Sequence, residues 1–106
     1  MKVGIGLPAV PGMSGAMVLE WAKKADQGPF SSLAYGNYEP KTMLAAAAVV
    51  TQRVRLTTSI FMAPIRNGGV LAKQAASLDA ISGGRLTLEL GVGSREDDFL
   101  GAPASF

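Results

Sequence analysis

The sequence of 106 residues is 48% apolar and 17% charged, a balance typical of one folded globular domain and not of a disordered segment. The net charge is only +2, and the ten Lys and Arg residues are scattered, so no basic stripe indicates nucleic-acid binding. The absence of cysteine and histidine excludes disulfides, thiolate nucleophiles, Ser-His-Asp triads and the usual zinc sites, so we expect chemistry to depend on a bound cofactor and not on a protein-bound metal.

The first predicted strand covers Lys2–Leu7, in which apolar side chains alternate with glycines. Prolines end this strand, and Ser14 is a suitable N-cap for the helix that follows. The helix extends to Gly28 and has an apolar stripe at helical spacing, made of Val18, Trp21, Ala22 and Ala25. The second strand is predicted at Ser31–Tyr35.

A second helix is predicted over Pro40–Arg53, because proline suits a first helical turn and the apolar run after it is extensive enough to be largely covered. The third strand, Val54–Ile60, is rich in β-branched residues. Asn67 caps a third helix that ends at two glycines, with an apolar stripe of Leu71, Ala75, Leu78 and Ile81. The fourth strand is predicted at Arg85–Leu90, with its three leucines on one face.

These elements alternate in the order β-α-β-α-β-α-β, which makes the strands parallel neighbours. The strands start near residues 2, 31, 54 and 85, a spacing that matches the repeat of an eight-unit barrel of about 250 residues. The sequence therefore predicts an α/β fold, the N-terminal half of a (β/α)8 TIM barrel, as one partial domain over residues 1–106 that stops after its fourth strand. A small doubly wound sheet is the alternative, but its fingerprint-like GVGSRE has Glu96 at the third glycine position and follows the last strand.

The N-terminal segment differs from a secretory signal peptide, because Pro8 and Pro11 interrupt its apolar stretch too early. The longest unbroken apolar run, Met43 to Val50, is far shorter than the ~20 residues needed to cross a bilayer. These features predict a soluble, cytoplasmic protein that is not associated with a membrane.

Ligands bind beyond the carboxyl ends of parallel strands, which places the candidate site at Ser59–Phe61 and Gly91–Gly93. Small residues predominate on the strand faces opposite the leucines and valines, and they leave room for a flat ring near the backbone. For Ser59 and Gly91, at the strand ends, we favour the ligand interpretation. For small residues deeper in the strands, such as Gly4, tight packing is an equally good explanation.

Four segments carry a resemblance to a known family: GPFSSLAYG, NYEPKTMLAAAAVVTQRVRLTTS, APIRNGGVLAKQAASLDAISGGRL and LGVGSREDDF. They cover nearly the whole chain, and AKQAASLD together with SGGRL is the most specific part. They resemble the luciferase-like monooxygenases, TIM-barrel oxidoreductases that depend on a flavin or a deazaflavin. The resemblance implies FMN or the 8-hydroxy-5-deazaflavin coenzyme as cofactor, for hydride transfer or dioxygen activation on a small organic substrate.

The resemblance also implies roles for individual residues. Relatives commonly have a non-prolyl cis peptide bond behind the flavin ring at the end of the third strand, and it aligns with Ser59-Ile60. Gly91 aligns with the position beside the reactive edge of the ring, where a glycine leaves space, and Val92 and Gly93 complete the cofactor-binding strand end. No residue is assigned a catalytic role.

Two departures from the family pattern affect these assignments. Relatives carry several more residues between Gly36 and Asn37, often with a charged side chain that reaches the site. In this chain the polar contribution of the second strand to cofactor binding falls to Asn37 and Tyr38. Val92 stands where relatives can have an arginine for the flavin phosphate, which implies that the second half of a barrel holds the phosphate.

Other polar residues near the strand ends have structural as well as functional interpretations. Glu89 is expected to pair with Arg55 or another interior base, because an unpaired inward carboxylate is costly. Arg66 faces the cofactor, lies in an exposed loop or contacts the next unit of the barrel. The acidic residues Glu96–Asp98 are predicted to form a solvated cluster, since their spacing fits no calcium loop.

The alternative function is non-enzymatic: a half-barrel fragment or self-associating module that does not bind a cofactor productively. Open parallel strands leave unpaired edges and an uncovered inner face. We therefore expect the chain to form a homo-oligomer or to associate with the remainder of the same barrel. A small-molecule substrate is the expected partner of the enzyme interpretation.

Overall fold

The computed structural model describes residues 1–8, 10–36 and 39–106, and in these residues helices alternate with short parallel strands, as predicted. The strands are β1 Gly4–Gly6, β2 Ser32–Tyr35, β3 Arg55–Thr58, β4 Phe61–Met62, β5 Leu86–Thr87 and β6 Leu90–Gly91. The helices are α1 Gly15–Gln27, α2 Pro40–Val50 and α3 Gly68–Ile81, and a 3-10 turn follows at Glu96–Phe99. Within these ranges no helix combines the length and apolar character that crossing a membrane requires.

One parallel sheet contains β1, β2, β3 and β5 in that order, and β4 and β6 form a separate parallel pair. A row of apolar side chains in register crosses the sheet and packs with the helices: Ile5, Leu33, Leu56 and Leu86. Strand order follows chain order without the reversal that defines a doubly wound sheet. The fold is therefore that of a partial TIM barrel, as predicted, and the doubly wound alternative is excluded.

The predicted third and fourth strands, Val54–Ile60 and Arg85–Leu90, are each interrupted, which corrects their bounds. The break after β3 lies opposite the break between β5 and β6. The Thr58 hydroxyl bridges the two breaks: it donates to the Glu89 carbonyl at 3.0 Å and accepts from the Glu89 amide at 2.8 Å. One side chain therefore replaces the backbone ladder where the strands part.

Two helices begin at their predicted N-caps. Ser14 Oγ accepts from the Met17 amide at 3.2 Å. Asn67 Oδ1 accepts from the amides of Gly69 and Val70 at 3.0 Å and 3.1 Å. Both caps satisfy amides that the first helical turn leaves without partners.

The second helix ends at Val50 and not at the predicted Arg53. Arg85, which immediately precedes β5, donates to the carbonyls of Ala48 and Thr51 at 3.1 Å each. These are carbonyls that the end of a helix leaves without an amide partner. The helix end is thus fixed by a residue distant in sequence, which is why the local pattern placed it too late.

Asp26, near the end of α1, binds the chain that leads into β3. Its carboxylate accepts from the amides of Gln52, Arg53 and Val54 at 2.9 Å each. Burial by itself raises the pKa of this carboxyl, but the amide hydrogen bonds and the charge of Arg53 outweigh burial and hold the pKa below its ordinary value. Asp26 therefore joins α1 to β3 at the amino end of the sheet.

Candidate functional site

The carboxyl ends of the strands lie along one edge, because the strands are parallel. This carboxyl edge comprises Tyr35–Gly36 at the end of β2, Ser59–Ile60 between β3 and β4, and Gly91–Gly93 at the end of β6. The second and third of these segments are the ones in which the sequence predicted a ligand site.

The peptide bond between Ser59 and Ile60 is cis, as predicted. Two glycines from neighbouring strands pack against it. A Cβ on Gly36 would lie 2.1 Å from the Ser59 carbonyl oxygen, and a Cβ on Gly91 would lie 2.8 Å from Ile60 Cγ2. Neither position accepts a side chain without movement of its neighbour. We call Gly36, Ser59, Ile60 and Gly91 the backbone wall.

Apolar side chains are exposed beside the backbone wall. Ile60 is 59% exposed, Leu90 is 55% exposed and Val92 is 77% exposed. Gly91 does not leave a gap here, since the space that its side chain would occupy is filled by Ile60. An exposed apolar group at the carboxyl edge of a parallel sheet is typical of a surface that binds a ligand or another part of the protein.

A cleft of about 330 Å³ opens next to the backbone wall. Its lining residues are Gly36, Glu39, Pro40, Ile60, Phe61, Met62 and Arg66. Glu39 Oε1 and Arg66 Nη2 are 3.5 Å apart, and the same glutamate caps α2 by accepting from the Thr42 amide at 2.7 Å. The cleft therefore connects an apolar wall to one partly exposed ion pair.

Phe61, which is fully buried next to the wall, is contacted by two cations. Lys41 Nζ lies 4.6 Å from the centroid of its ring, and Arg66 Cζ lies 4.2 Å from the same centroid. Lys41 is only 5% exposed, and its ammonium donates to the side-chain oxygen of Gln74. Burial lowers the pKa of Lys41, the charge of Glu39 opposes this effect, and the charge of Arg66 adds to it.

The family model described as "luciferase-like monooxygenase" matches residues 1–106. The chain belongs to this family. The family predicted from the sequence motifs is therefore confirmed over the full matched length.

Two curated proteins are similar to this luciferase-like chain. One is 4-hydroxyprotoasukamycin monooxygenase from Streptomyces nodosus subsp. asukaensis, 35% identical over 102 residues, which cover 86% of the chain and 28% of the relative. The other is 5,10-methylenetetrahydromethanopterin reductase from Methanolobus tindarius, 31% identical over 94 residues, which cover 85% of the chain and 29% of the relative. The chain thus spans less than a third of the length of either relative.

Solved structures share the fold. A monooxygenase from Streptomyces bottropensis matches with a TM-score of 0.83 and 32% identity, over 95% of this chain and 36% of its own. The coenzyme F420 dependent tetrahydromethanopterin reductase from Methanopyrus kandleri matches with a TM-score of 0.80 and 29% identity, over 96% of this chain and 30% of its own. The oxygenating constituent of 3,6-diketocamphane monooxygenase from Pseudomonas putida, in complex with FMN, matches with a TM-score of 0.86 and 22% identity, over 99% of this chain and 33% of its own. Because the identity is this low, the match supports the fold alone.

The residues predicted to bind the cofactor have different surroundings in the luciferase-like fold. Those in the backbone wall are Ser59, Ile60 and Gly91. Val92 is exposed next to the wall, whereas Gly93 packs under the 3-10 turn, where a Cβ would lie 3.1 Å from the Phe99 ring. Asn37 lies outside the described residues. The part that each of these residues plays toward a cofactor stays a prediction.

The prediction that Glu89 pairs with Arg55 or another interior base is wrong, since Glu89 forms no salt bridge with any base in the described residues. Arg55 donates to Thr87 Oγ1 at 3.0 Å and to the Leu86 carbonyl at 2.9 Å. Glu89 lies in the break between β5 and β6 and is exposed, so its carboxylate is solvated and needs no cationic partner.

The acidic cluster Glu96–Asp98 lies in the 3-10 turn after β6. Asp97 forms an ion pair with Arg95, and this hydrogen bond lowers the pKa of the Asp97 carboxyl. In the described part of the chain, no three His, Cys, Asp or Glu residues are grouped as a candidate metal site.

Sequence reasoning missed several residues of the site. Gly36 received no packing role, although the structure places it in the backbone wall. Glu39 could have been predicted as the N-cap of α2, because it directly precedes the proline that starts the helix. Phe61 lies in the predicted Ser59–Phe61 segment, but its contact with Lys41 had no signal, since that contact joins α2 to β4 across a distance that no local pattern encodes.

Proposed function

We propose that this chain forms the cofactor-facing part of an oxidoreductase in which reduced FMN or the 8-hydroxy-5-deazaflavin coenzyme acts on a small organic substrate. Such a cofactor, when bound, supplies hydride transfer or dioxygen activation. The observation that carries the proposal is the backbone wall, in which two glycines enclose the Ser59-Ile60 peptide at the carboxyl edge. The F420 dependence of the Methanopyrus kandleri reductase and the monooxygenase relatives add support.

The residues at the carboxyl edge fit a planar ring. Because Gly36 and Gly91 carry no side chain, the ends of β2 and β6 close directly on the Ser59-Ile60 peptide and form a surface on which a flat group can stack. The exposed side chains of Ile60, Leu90 and Val92 offer apolar contact, which excludes water from the face of a ring. In this proposal the chain binds the ring, orients it and keeps it dry, and no side chain is assigned as a general acid or base.

The backbone wall offers no cation to the cofactor phosphate, and Val92 beside it is apolar. We therefore assign the phosphate contacts to segments that relatives have beyond the matched region, since the chain spans 28% and 29% of the two curated relatives. In the same proposal residues 1–106 act as one partial barrel domain. The outer edges of β1 and β5 then pair with the remainder of a barrel or with a second copy of the chain.

Fluorescence titration of FMN and of the deazaflavin coenzyme with the purified 106-residue chain tests the proposal. We expect saturable binding of one of the two, and binding weaker by about tenfold in Gly91→Val, because the added side chain displaces Ile60 from the wall. Gly15→Ala is the matched control, since a Cβ on Gly15 meets nothing within 4 Å.

Two results would contradict the proposal in different ways. If the intact chain bound neither cofactor, the non-enzymatic half-barrel would be the better interpretation. If it bound one of them and Gly91→Val bound equally well, the cofactor would lie elsewhere and the backbone wall would lose its proposed role.

A further inference from the structure

Lys41 is an unusual residue in this fold because its charged side chain is buried. It lies in the first turn of α2 and is 5% exposed, although lysine is almost never fully buried without a partner. Its ammonium has two neighbours: the side-chain oxygen of Gln74 on α3 and the ring of Phe61 in β4. A single buried cation on α2 thus contacts α3 and the strand next to the backbone wall.

Phe61 links this cation to the candidate site. It directly follows Ile60, and the two side chains are on opposite sides of the chain, since Ile60 is 59% exposed and Phe61 is 0% exposed. The Phe61 amide donates to the Glu89 carbonyl at 2.8 Å, and the Ala63 amide donates to the Gly91 carbonyl at 3.1 Å. The residue that carries the Phe61 ring therefore lies between Ile60 of the backbone wall and the backbone pairing of β4 with β6.

A second cation supports the same segment. The Arg66 guanidinium lies against the Phe61 ring and donates to the Met62 carbonyl at 3.2 Å. Cations near an aromatic ring are attracted by its negative face, and the attraction is stronger when the groups are removed from water. Phe61 and Lys41 are both buried, so their contact is made away from solvent, whereas the Arg66 side chain is 25% exposed.

We propose that Lys41 is a positioning residue for the backbone wall: its buried ammonium, held by Gln74, fixes the Phe61 ring and thereby sets the position of Ile60 at the carboxyl edge. The inference deepens the proposed function and rests on it for the link to a cofactor.

Stability alone does not account for a lysine at this position. Burying an ammonium is costly, and an apolar side chain of similar length would pack there without that cost. Gln74 is exposed, so its amide can bind water when the lysine is removed. A residue that only held α2 against α3 would not need the charge, whereas a residue that fixes an aromatic ring through its negative face does.

Lys41→Met and Lys41→Arg in the full chain test the proposal, with Lys73→Met as the matched control. Lys73 is exposed in the same groove between α2 and α3, and the cations against Phe61 in the described residues are Lys41 and Arg66. The readouts are amide hydrogen exchange at Phe61 and Ala63, the methyl chemical shifts of Ile60 and the urea midpoint.

In Lys41→Met we expect exchange at the Phe61 and Ala63 amides to rise by about tenfold and the Ile60 methyl signals to move, while the urea midpoint stays level or increases. Lys41→Arg is expected to restore the exchange rates toward those of the unsubstituted chain, because it returns a cation to the ring. Lys73→Met is expected to change none of these values.

Two results would overturn the positioning role. One is an unchanged Ile60 signal and unchanged exchange at both amides in Lys41→Met. The other is faster exchange in every strand with a lower urea midpoint, which is the behaviour of a residue that only stabilises the fold.

A cofactor titration separates this inference from the proposed function. If the unsubstituted chain binds a cofactor, Lys41→Met is expected to weaken binding by about tenfold and Lys41→Arg to recover it. Equal affinity in Lys41→Met would overturn the link between ring position and the site. If the unsubstituted chain binds no cofactor, the proposed function fails, and the exchange and methyl data still decide whether Lys41 positions Ile60.

Discussion

The two ends of the sheet differ in what holds the chain together. At the amino end, side chains bind backbone groups of neighbouring elements: Asp26 accepts from three amides, and Arg85 donates to carbonyls of α2 and of the chain before β3. At the carboxyl edge, glycines replace side chains, and the backbone wall packs against its neighbours directly. In TIM barrels the amino end serves stability and the carboxyl end carries the ligand site.

This comparison predicts that the two ends can be perturbed separately. Substitutions at the amino end are expected to change the free energy of unfolding and not the affinity of the folded chain for a cofactor. Substitutions in the backbone wall are expected to change the affinity by more than their effect on stability explains.

Arg85→Met is expected to have the largest effect on stability. The guanidinium donates to five oxygens, which belong to Ser82, Val54, Ala48 and, through its carbonyl and its hydroxyl, Thr51. Methionine leaves these partly buried acceptors without a donor, and we expect the free energy of unfolding to fall by about 3 kcal/mol. Urea denaturation measures the loss, and Arg95→Met, which removes an exposed arginine, is the control. A loss no larger than that of the control would show that the hydrogen bonds of Arg85 do not stabilise the fold.

Gly36→Ala is expected to lower both the free energy of unfolding and the affinity for a cofactor. Its Cβ would lie 2.1 Å from the Ser59 carbonyl oxygen, a backbone atom that cannot rotate away, so the end of β2 and the Ser59-Ile60 peptide must separate. We expect a loss of about 2 kcal/mol in unfolding free energy together with loss of cofactor binding. Gly6→Ala is the control at the end of β1, since a Cβ there meets nothing within 4 Å. Unaltered affinity in Gly36→Ala would show that the wall does not face the cofactor.

Asp26→Asn is expected to lower the free energy of unfolding by about 1.5 kcal/mol at neutral pH, because the amide group keeps one acceptor oxygen and sets a donor against the backbone amides. The pKa of Asp26 is lowered in the folded chain. Its contribution to stability is therefore fully present above the ordinary carboxyl pKa and is lost as the pH falls through the lowered folded value.

Unfolding curves recorded from neutral pH to about pH 3 test this sign. Asp26→Asn is expected to lose less stability on acidification than the unsubstituted chain, so that the two curves converge at low pH. Curves that stay parallel would show that the Asp26 carboxylate does not contribute to the acid sensitivity.

Much of the fold could be predicted because its determinants are local. Ser14 and Asn67 cap helices through contacts within one turn, and the alternation of strands and helices follows from short-range periodicity. The breaks in the third and fourth strands could not be predicted, since they depend on the Thr58 hydroxyl reaching Glu89 on another strand. The end of α2 was misplaced for the same reason, because Arg85 reaches it from a distant part of the chain.

In the candidate site, too, some residues could be predicted from the sequence and others could not. The strand ends predict a site at Ser59–Phe61 and Gly91–Gly93, the family resemblance adds the cis peptide bond at Ser59-Ile60, and the structure brings the two segments together. The packing role of Gly36 and the contact of Lys41 with the Phe61 ring could not be found in this way. They arise from the distances between elements, which a single sequence does not encode.

Amide chemical shifts of the labelled chain, recorded as FMN or the deazaflavin coenzyme is added, show where the cofactor contacts the fold. We expect the largest changes at Ile60 and Gly91–Gly93, with Arg53 and Arg85 at the amino end unaffected. Changes that cluster at the amino end, or saturable binding without any change at the backbone wall, would contradict the proposal that the wall faces the cofactor.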